Sequence, residues 1–255
     1  MVIKVNKFNL SGKTALVTGG SKGIGRAITI ILAEAGAKVF FTYRNNDQNI
    51  KGLKAIADKL SLKIEGFQSD ATNLEDCQKL VSIIEERGGR LHCLVNNVGD
   101  VISRTSFEES EIKLWEECIN INLMTAVRVT KLLLPLLKKT GGASIINVSS
   151  IAGQTGGSGD SLHYGVAKSA LNTFTMGLAR EMKQNGIRVN AIAPSIIDTD
   201  FQKKHSTAKR LKKIIEQTPV GRIGTPDEVA NCVLFLASEA ASYVSGEIMV
   251  ISGGR

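Results

Sequence analysis

Short, almost uninterrupted apolar runs alternate along this chain with longer stretches in which apolar residues return every three or four positions. The runs are Thr14–Thr18, Lys38–Tyr43, Lys63–Ser69, Leu91–Asn96, Ser144–Ser149, Arg188–Ala193 and Ile248–Ser252, and their length and aliphatic content predict strands. Between them, Ile24–Ala35, Leu74–Arg87, Ile112–Leu137, Tyr164–Lys183 and Pro226–Ala237 carry the helical period. In the fourth, Ala167, Leu171, Phe174, Leu178 and Met182 share one stripe. Strands that are apolar on both faces and separated by helices belong in a parallel sheet covered on both sides and joined by right-handed crossovers. The pattern predicts one doubly wound α/β domain over residues 1–255, with a seven-stranded parallel sheet. No internal repeat, Pro- or Ser-rich linker or break in composition divides it. Two stretches fall outside the rhythm. Gly153–Ser161 holds four glycines in nine residues and reads as a flexible loop; Ser195–Val220 has no strand, only a short, very basic helical centre.

At 255 residues the chain buries a core large enough to need neither disulfides nor a structural metal. With 43% hydrophobic and 22% charged residues disorder is excluded, and 25 glycines without a period exclude a collagenous chain. Met1–Leu10 lacks the apolar centre of a secretion signal, and Leu132–Leu137, broken by Pro135, reads as helix core; no membrane association is expected. Cys77, Cys93, Cys118 and Cys232 have no paired spacing, and His92, His163 and His205 stand far apart. The expectation is a cytoplasmic protein with reduced thiols and no zinc. The 32 Lys and Arg against 24 Asp and Glu leave a net charge of +8.

Thr18-Gly19-Gly20-Ser21-Lys22-Gly23-Ile24-Gly25 follows the first strand and opens the first helix. Glycines there let the backbone turn sharply and approach a pyrophosphate, whose charge then sits at the positive end of a helix. Tight packing alone would also use such a turn, so its meaning depends on the rest of the chain. The run is similar to the cofactor turn of the short-chain dehydrogenase/reductases, and further matches extend over almost the whole chain. They are Asp70 after the third strand, Asn96-Asn97-Val98-Gly99 after the fourth, Ser149-Ser150 after the fifth, and Tyr164-Gly-Val-Ala-Lys168. Arg188-Val-Asn-Ala-Ile-Ala-Pro194 and a closing Ser245-Gly-x5-Ser-Gly-Gly complete the series.

The resemblance implies a Rossmann fold and a nicotinamide cofactor held by Gly19, Ser21, Lys22, Gly23, Ile24 and Gly25. It adds Asp70 at the adenine with Ala71 beside it, Asn97, Val98 and Gly99 along the adenosine pocket, and Pro194, Ile197 and Thr199, the last at the carboxamide. Asp70 is also placed to cap the helix that starts near Leu74. Val98 and Ser195 depart from the family's usual Ala and Gly. An acid about 20 residues past the glycines would select NAD through the ribose 2′-hydroxyl. The second strand ends instead in Tyr43-Arg44-Asn45. Arg44 suits a 2′-phosphate and Lys22 adds a second cation, so NADP(H) is the expected cofactor, with Tyr43 and Asn45 flanking it. Asp47 is the one nearby carboxylate that would reverse this.

Tyr164 and Lys168, at i and i+4, lie on one face of a helix. A tyrosine near its usual pKa of about 10 is a poor base at neutral pH, and a neighbouring ammonium is expected to lower that value. Such a pair donates a proton in carbonyl reduction and accepts one in alcohol oxidation. By resemblance Lys168 also holds the nicotinamide ribose, Ser150 holds the substrate oxygen, and Asn122 holds a water in the proton relay. Ser149, pointing to the opposite face, and Asn120 are the neighbouring alternatives. Ser150 and Tyr164 are 14 residues apart, one more than in many relatives, and the extra residue is expected in the Gly156–Asp160 loop.

Lys203, Lys204, Lys209, Arg210, Lys212 and Lys213 put six cations into eleven residues without an acid. They fall in the stretch, about 195–220, that matches the family's substrate lid. Attraction of an anionic substrate (a phosphopantetheine thioester, coenzyme A or an acidic carrier protein) and a merely solvated face are both open readings. In pattern the chain is similar to the 3-oxoacyl-(acyl-carrier-protein) reductases, bacterial homotetramers that reduce a β-keto thioester with NADPH; Gly221–Ala230 and the length carry that likeness. Asn185 stands where those reductases often have a basic residue, with Lys138, Lys139 and Lys183 as substitutes. A carbonyl substrate is thus implied, with an acyl thioester foremost and a sugar, steroid or other secondary alcohol as the alternative. The complete Asn-Ser-Tyr-Lys set speaks against a cofactor sensor without turnover. No nucleic-acid partner is expected, since no aromatic interleaves the lid charges.

Overall fold

Parallel pairing joins β1 (Thr14–Val17), β2 (Lys38–Tyr43), β3 (Ile64–Gln68), β4 (Cys93–Asn96), β5 (Ser144–Val148), β6 (Arg188–Pro194) and β7 (Ile248–Ile251). They form one seven-stranded sheet in the order β3-β2-β1-β4-β5-β6-β7. The computed structural model describes residues 6–45 and 48–255. Every strand lies within two residues of its expected bounds. Alternation sorts the side chains: Val17, Phe41 and Val95 pack with Ile28 and Leu32 of α1 (Gly23–Glu34) and Val229 and Val233 of α10 (Pro226–Ala237). Leu16, Phe40 and Leu94 face the other way, onto Leu80 and Ile84 of α3 (Leu74–Gly88) and Leu133 and Leu137 of α5 (Thr125–Thr140). The helix α2 (Gln48–Leu60), which the apolar pattern does not predict, buries Ile50, Leu53 and Ala57.

Three further departures matter. The expected single helix over 112–137 is α4 (Ile112–Ile119), a π turn over Asn120–Met124, and then α5. By length and mean hydropathy this Ile112–Thr140 stretch would cross a membrane, but Val129, Leu133, Leu136 and Leu137 are buried in the core instead. The glycine-rich 153–161 stretch is not simply a loose loop. It begins in a helical turn, α6 (Ala152–Thr155), and closes through hydrogen bonds from Ser158 N–H to Ser161 Oγ (3.1 Å) and Ser158 Oγ to Asp160 (2.7 Å). It leads into α7 (Leu162–Glu181), and the basic stretch forms α8 (Asp200–His205) and α9 (Ala208–Glu216).

Candidate active site

The strand order reverses at β1 and β4, and ligands of open α/β sheets bind in the crevice beyond that point. The glycine turn lies there. Gly19 and Gly23 take φ of 64° and 53°, the left-handed region that favours glycine. A Cβ on Gly25 would stand 2.3 Å from Gly19 O and 2.5 Å from Asn97 Nδ2. Asn97 clamps the turn, its amide donating to Thr18 O (3.0 Å) and Gly19 O (3.1 Å). Among the described residues no side chain caps the start of α1, and residues 21–25 line a cavity of about 600 Å³. Uncapped N–H groups at the positive end of a helix, approached without Cβ atoms, are chemically suited to a pyrophosphate.

Every residue expected to hold the cofactor lines this one cavity, from Gly19 and Arg44 at one end to Pro194 and Thr199 at the other. Asp70 lines it too, with Oδ1 accepting the N–H and hydroxyl of Thr72 (2.8 and 2.7 Å). It does not cap α3; Asn73 does, accepting the Asp76 N–H at 3.1 Å. Arg44 is exposed, and neither it nor Lys22 has an ion-pair partner among the described residues; Asp47 lies outside them. Ser195 is accommodated without a left-handed backbone, donating its N–H to Ile251 O at 3.0 Å.

At the other end, α7 brings Tyr164 and Lys168 beneath the end of β5. Ser150 lines the cavity together with Tyr164 and accepts the Ala152 N–H at 3.1 Å. Ser149 turns away, its hydroxyl donating to Lys168 O at 3.3 Å. The Lys168 ammonium lies 5.7 Å from the Tyr164 ring centroid and donates to Val148 O at 2.9 Å. The expected lowering of the tyrosine pKa is not found. Burial pushes the half-buried Tyr164 phenol up to about 12, the nearby Ser150 hydroxyl opposing it, and burial lowers Lys168 to about 8. Tyr164 is therefore protonated at neutral pH, the state of a proton donor.

Asn122 lies just behind the cavity wall, fully buried in the π turn. Its amide nitrogen donates to Asp100 O (2.7 Å) and Cys118 O (2.9 Å), while Oδ1 has no partner among the described residues. A Cβ at Gly99 would meet Asn122 Oδ1 at 2.7 Å and Lys168 Nζ at 2.9 Å, so the acceptor and the donor flank one point beside Gly99. A π turn re-aims a side chain that a regular helix would point elsewhere, and such turns concentrate at functional sites. Asn120 points elsewhere, accepting from Arg128 at 2.6 Å. Sequence reasoning missed Asp100, Phe201, Gln202 and His205, which also line the cavity. A charge directly after Gly99 is the one signal that marked any of them.

The family profile described as enoyl-(acyl carrier protein) reductase matches residues 19–255. The 3-oxoacyl-(acyl-carrier-protein) reductase of Vibrio harveyi is 36% identical over 97% of this chain and 98% of its own. A tropinone reductase homologue of Arabidopsis thaliana is 36% identical over 97% of this chain and 94% of its own. Among solved structures, a 7α-hydroxysteroid dehydrogenase complexed with NADH and 7-oxo glycochenodeoxycholic acid superposes with a TM-score of 0.93. It is 30% identical, with 99% of this chain and 98% of that one covered.

Proposed function

Because the chain belongs to the short-chain dehydrogenase/reductase family, and is thereby an oxidoreductase of carbonyl and alcohol groups that uses a nicotinamide cofactor, we propose that it is an NADPH-dependent carbonyl reductase of a 3-oxoacyl thioester. The observation that carries the cofactor choice is the end of β2. Arg44 follows Tyr43 where an NAD site would present an acid, and together with Lys22 it offers two cations to the same cavity end. The substrate rests on likeness to 3-oxoacyl-(acyl-carrier-protein) reductases over nearly the full chain.

When bound, reduced nicotinamide supplies the hydride for the carbonyl carbon. The chain's own residues manage the oxygen and the proton. Ser150 and Tyr164, which line the cavity together, hold the carbonyl oxygen between two hydroxyls. Tyr164 donates its proton to that oxygen as charge develops on it. Lys168 stabilises the phenolate left behind and anchors the cofactor ribose. Asn122 Oδ1 and Lys168 Nζ, flanking the point beside Gly99, suit a water that returns the proton to Tyr164. A cytoplasmic homotetramer belongs to the same reading; four free thiols fit the location, and fully exposed Tyr243 offers apolar surface for assembly.

The test is the initial rate of NADPH oxidation with a short β-keto thioester, with NADH, Tyr164→Phe and Arg44→Ala run alongside. We expect NADPH to be preferred, Arg44→Ala to erase the preference, and Tyr164→Phe to lose about a hundredfold or more. NADPH binding without thioester turnover would overturn the substrate. A secondary-alcohol substrate is the second reading, favoured by the structural match to a hydroxysteroid dehydrogenase.

A further inference from the structure

The basic stretch over α8 and α9 is not absorbed by the proposed chemistry, and the structure pairs part of it with two carboxylates on fixed loops. Asp100, directly after Gly99, places Oδ2 3.1 Å from Lys204 Nζ. Its Oδ1 lies 2.8 Å from His205 Nε2, off the line of a straight hydrogen bond. Asp160, in the loop before α7, takes Arg104 on Oδ1 (3.0 Å) and Arg210 on Oδ2 (3.4 Å), and Ser158 Oγ accepts from Arg210 at 3.0 Å. Arg104 closes the ring by donating Nε to His205 O at 2.6 Å. The segment 200–216 is thus gripped at α8 by Asp100 and Arg104, and at α9 by Asp160 and Ser158.

The first grip stands on strained ground. Ile102, between Asp100 and Arg104, has φ 65°, a region that β-branched residues rarely enter. Its N–H donates to Asp100 Oδ1 at 3.1 Å, and His163 Nε2 stands 3.1 and 3.2 Å from the carbonyl oxygens of Val101 and Ser103. Such a conformation persists only where its surroundings over-determine it. Here the surroundings include the residue next to Tyr164 and the Asp100 carbonyl that holds Asn122.

We infer that Asp100 and Asp160 are the fixed posts of an electrostatic latch that holds segment 200–216 over the cavity. They are positioning residues, and Lys204 and Arg210 are their counter-charges, not attractors of an anionic substrate. Lys209, Lys212 and Lys213 have no ion-pair partner among the described residues and form the solvated face. The inference rests on the cavity being the reaction site but not on the thioester. Side chains of both posts and of Lys204 and Arg210 are partly exposed, so salt weakens the grip.

The test is amide hydrogen exchange read by mass spectrometry on the full chain, without added ligand, at low and high salt. We expect exchange across 200–216 to rise about two- to fivefold on adding salt. Asp100→Asn and Asp160→Asn should each show much of that rise already at low salt, the double variant should lose the salt response, and the sheet peptides should not change. Asp160→Glu should restore protection. Arg210→Gln, on the segment itself, should reproduce Asp160→Asn without touching the fixed loops. Salt-independent exchange in the native chain, or variants matching it, would overturn the latch. Failure of thioester turnover would leave this result standing.

Discussion

Asn147→Ala is the most informative single perturbation of the scaffold under the site. Asn147 is fully buried at the centre of a side-chain ladder. It accepts from Asn96 Nδ2 at 2.9 Å, across the directly paired positions of β4 and β5, and donates to Thr175 Oγ1 of α7 at 2.8 Å. Alanine removes both bonds. Asn96 keeps one N–H on Thr130 (2.9 Å) but loses the partner of the other, and Thr175 keeps its own donation to Leu171 O (2.8 Å). Two net hydrogen bonds at about 1 kcal/mol each, and about 1 kcal/mol for the stranded N–H, give a loss of about 3 kcal/mol before any cavity term. Urea unfolding at fixed protein concentration, followed by circular dichroism, should show a lower midpoint with an unchanged slope. The ladder also ties α7 to the strand leading to Ser150, so kcat should fall at temperatures where the variant remains folded. A loss below about 1 kcal/mol would refute the reasoning, because the surroundings would then have replaced the partners.

Gly25→Ala should abolish cofactor binding, measured by quenching of the protein's own fluorescence on NADPH titration, since its Cβ would lie 2.3 Å from Gly19 O. Wild-type-like affinity would mean that the turn relaxes. Gly99→Ala should lower kcat about ten- to hundredfold, because the methyl group enters the point shared by Asn122 and Lys168; an unchanged kcat would remove the relay from the mechanism. Burial lowers the Lys168 pKa, so its ammonium is present below about 8 and lost above it. The reduction rate should therefore decline as pH rises through about 8, and a flat profile there would separate Lys168 from the rate.

The sheet was legible because strands buried on both faces are written as apolar runs, and each run has its strand. The helix α2 was not, because Gly52 and three lysines, Lys51, Lys54 and Lys59, dilute the stripe of Ile50, Leu53 and Ala57. Nothing local marks the π turn, since the apolar period continues through Cys118, Ala126 and Val129. The spacing of Tyr164 and Lys168 sets their proximity but says nothing of enclosure, and enclosure decides the direction of both pKa shifts. The lid charges were visible as an excess, while their partners Asp100 and Asp160 lie 104 and 50 positions away in sequence. Charge counts do not carry such pairings.

The reversal of strand order at β1 and β4, where the chain returns from β3 at the sheet edge, also divides labour along the chain. Residues that line the cavity between Gly19 and Thr72 all come from the β1-to-β3 half, and Asp100, Ser150, Tyr164 and His205 all come from the other. Under the proposed function, cofactor preference is therefore inherited as one contiguous stretch of polypeptide and substrate choice as another, with Asn97 as the rivet between them. The two traits can drift separately. A relative's first three strands, grafted in front of β4 with Asn97 retained, should bring that relative's cofactor preference and leave the substrate range in place.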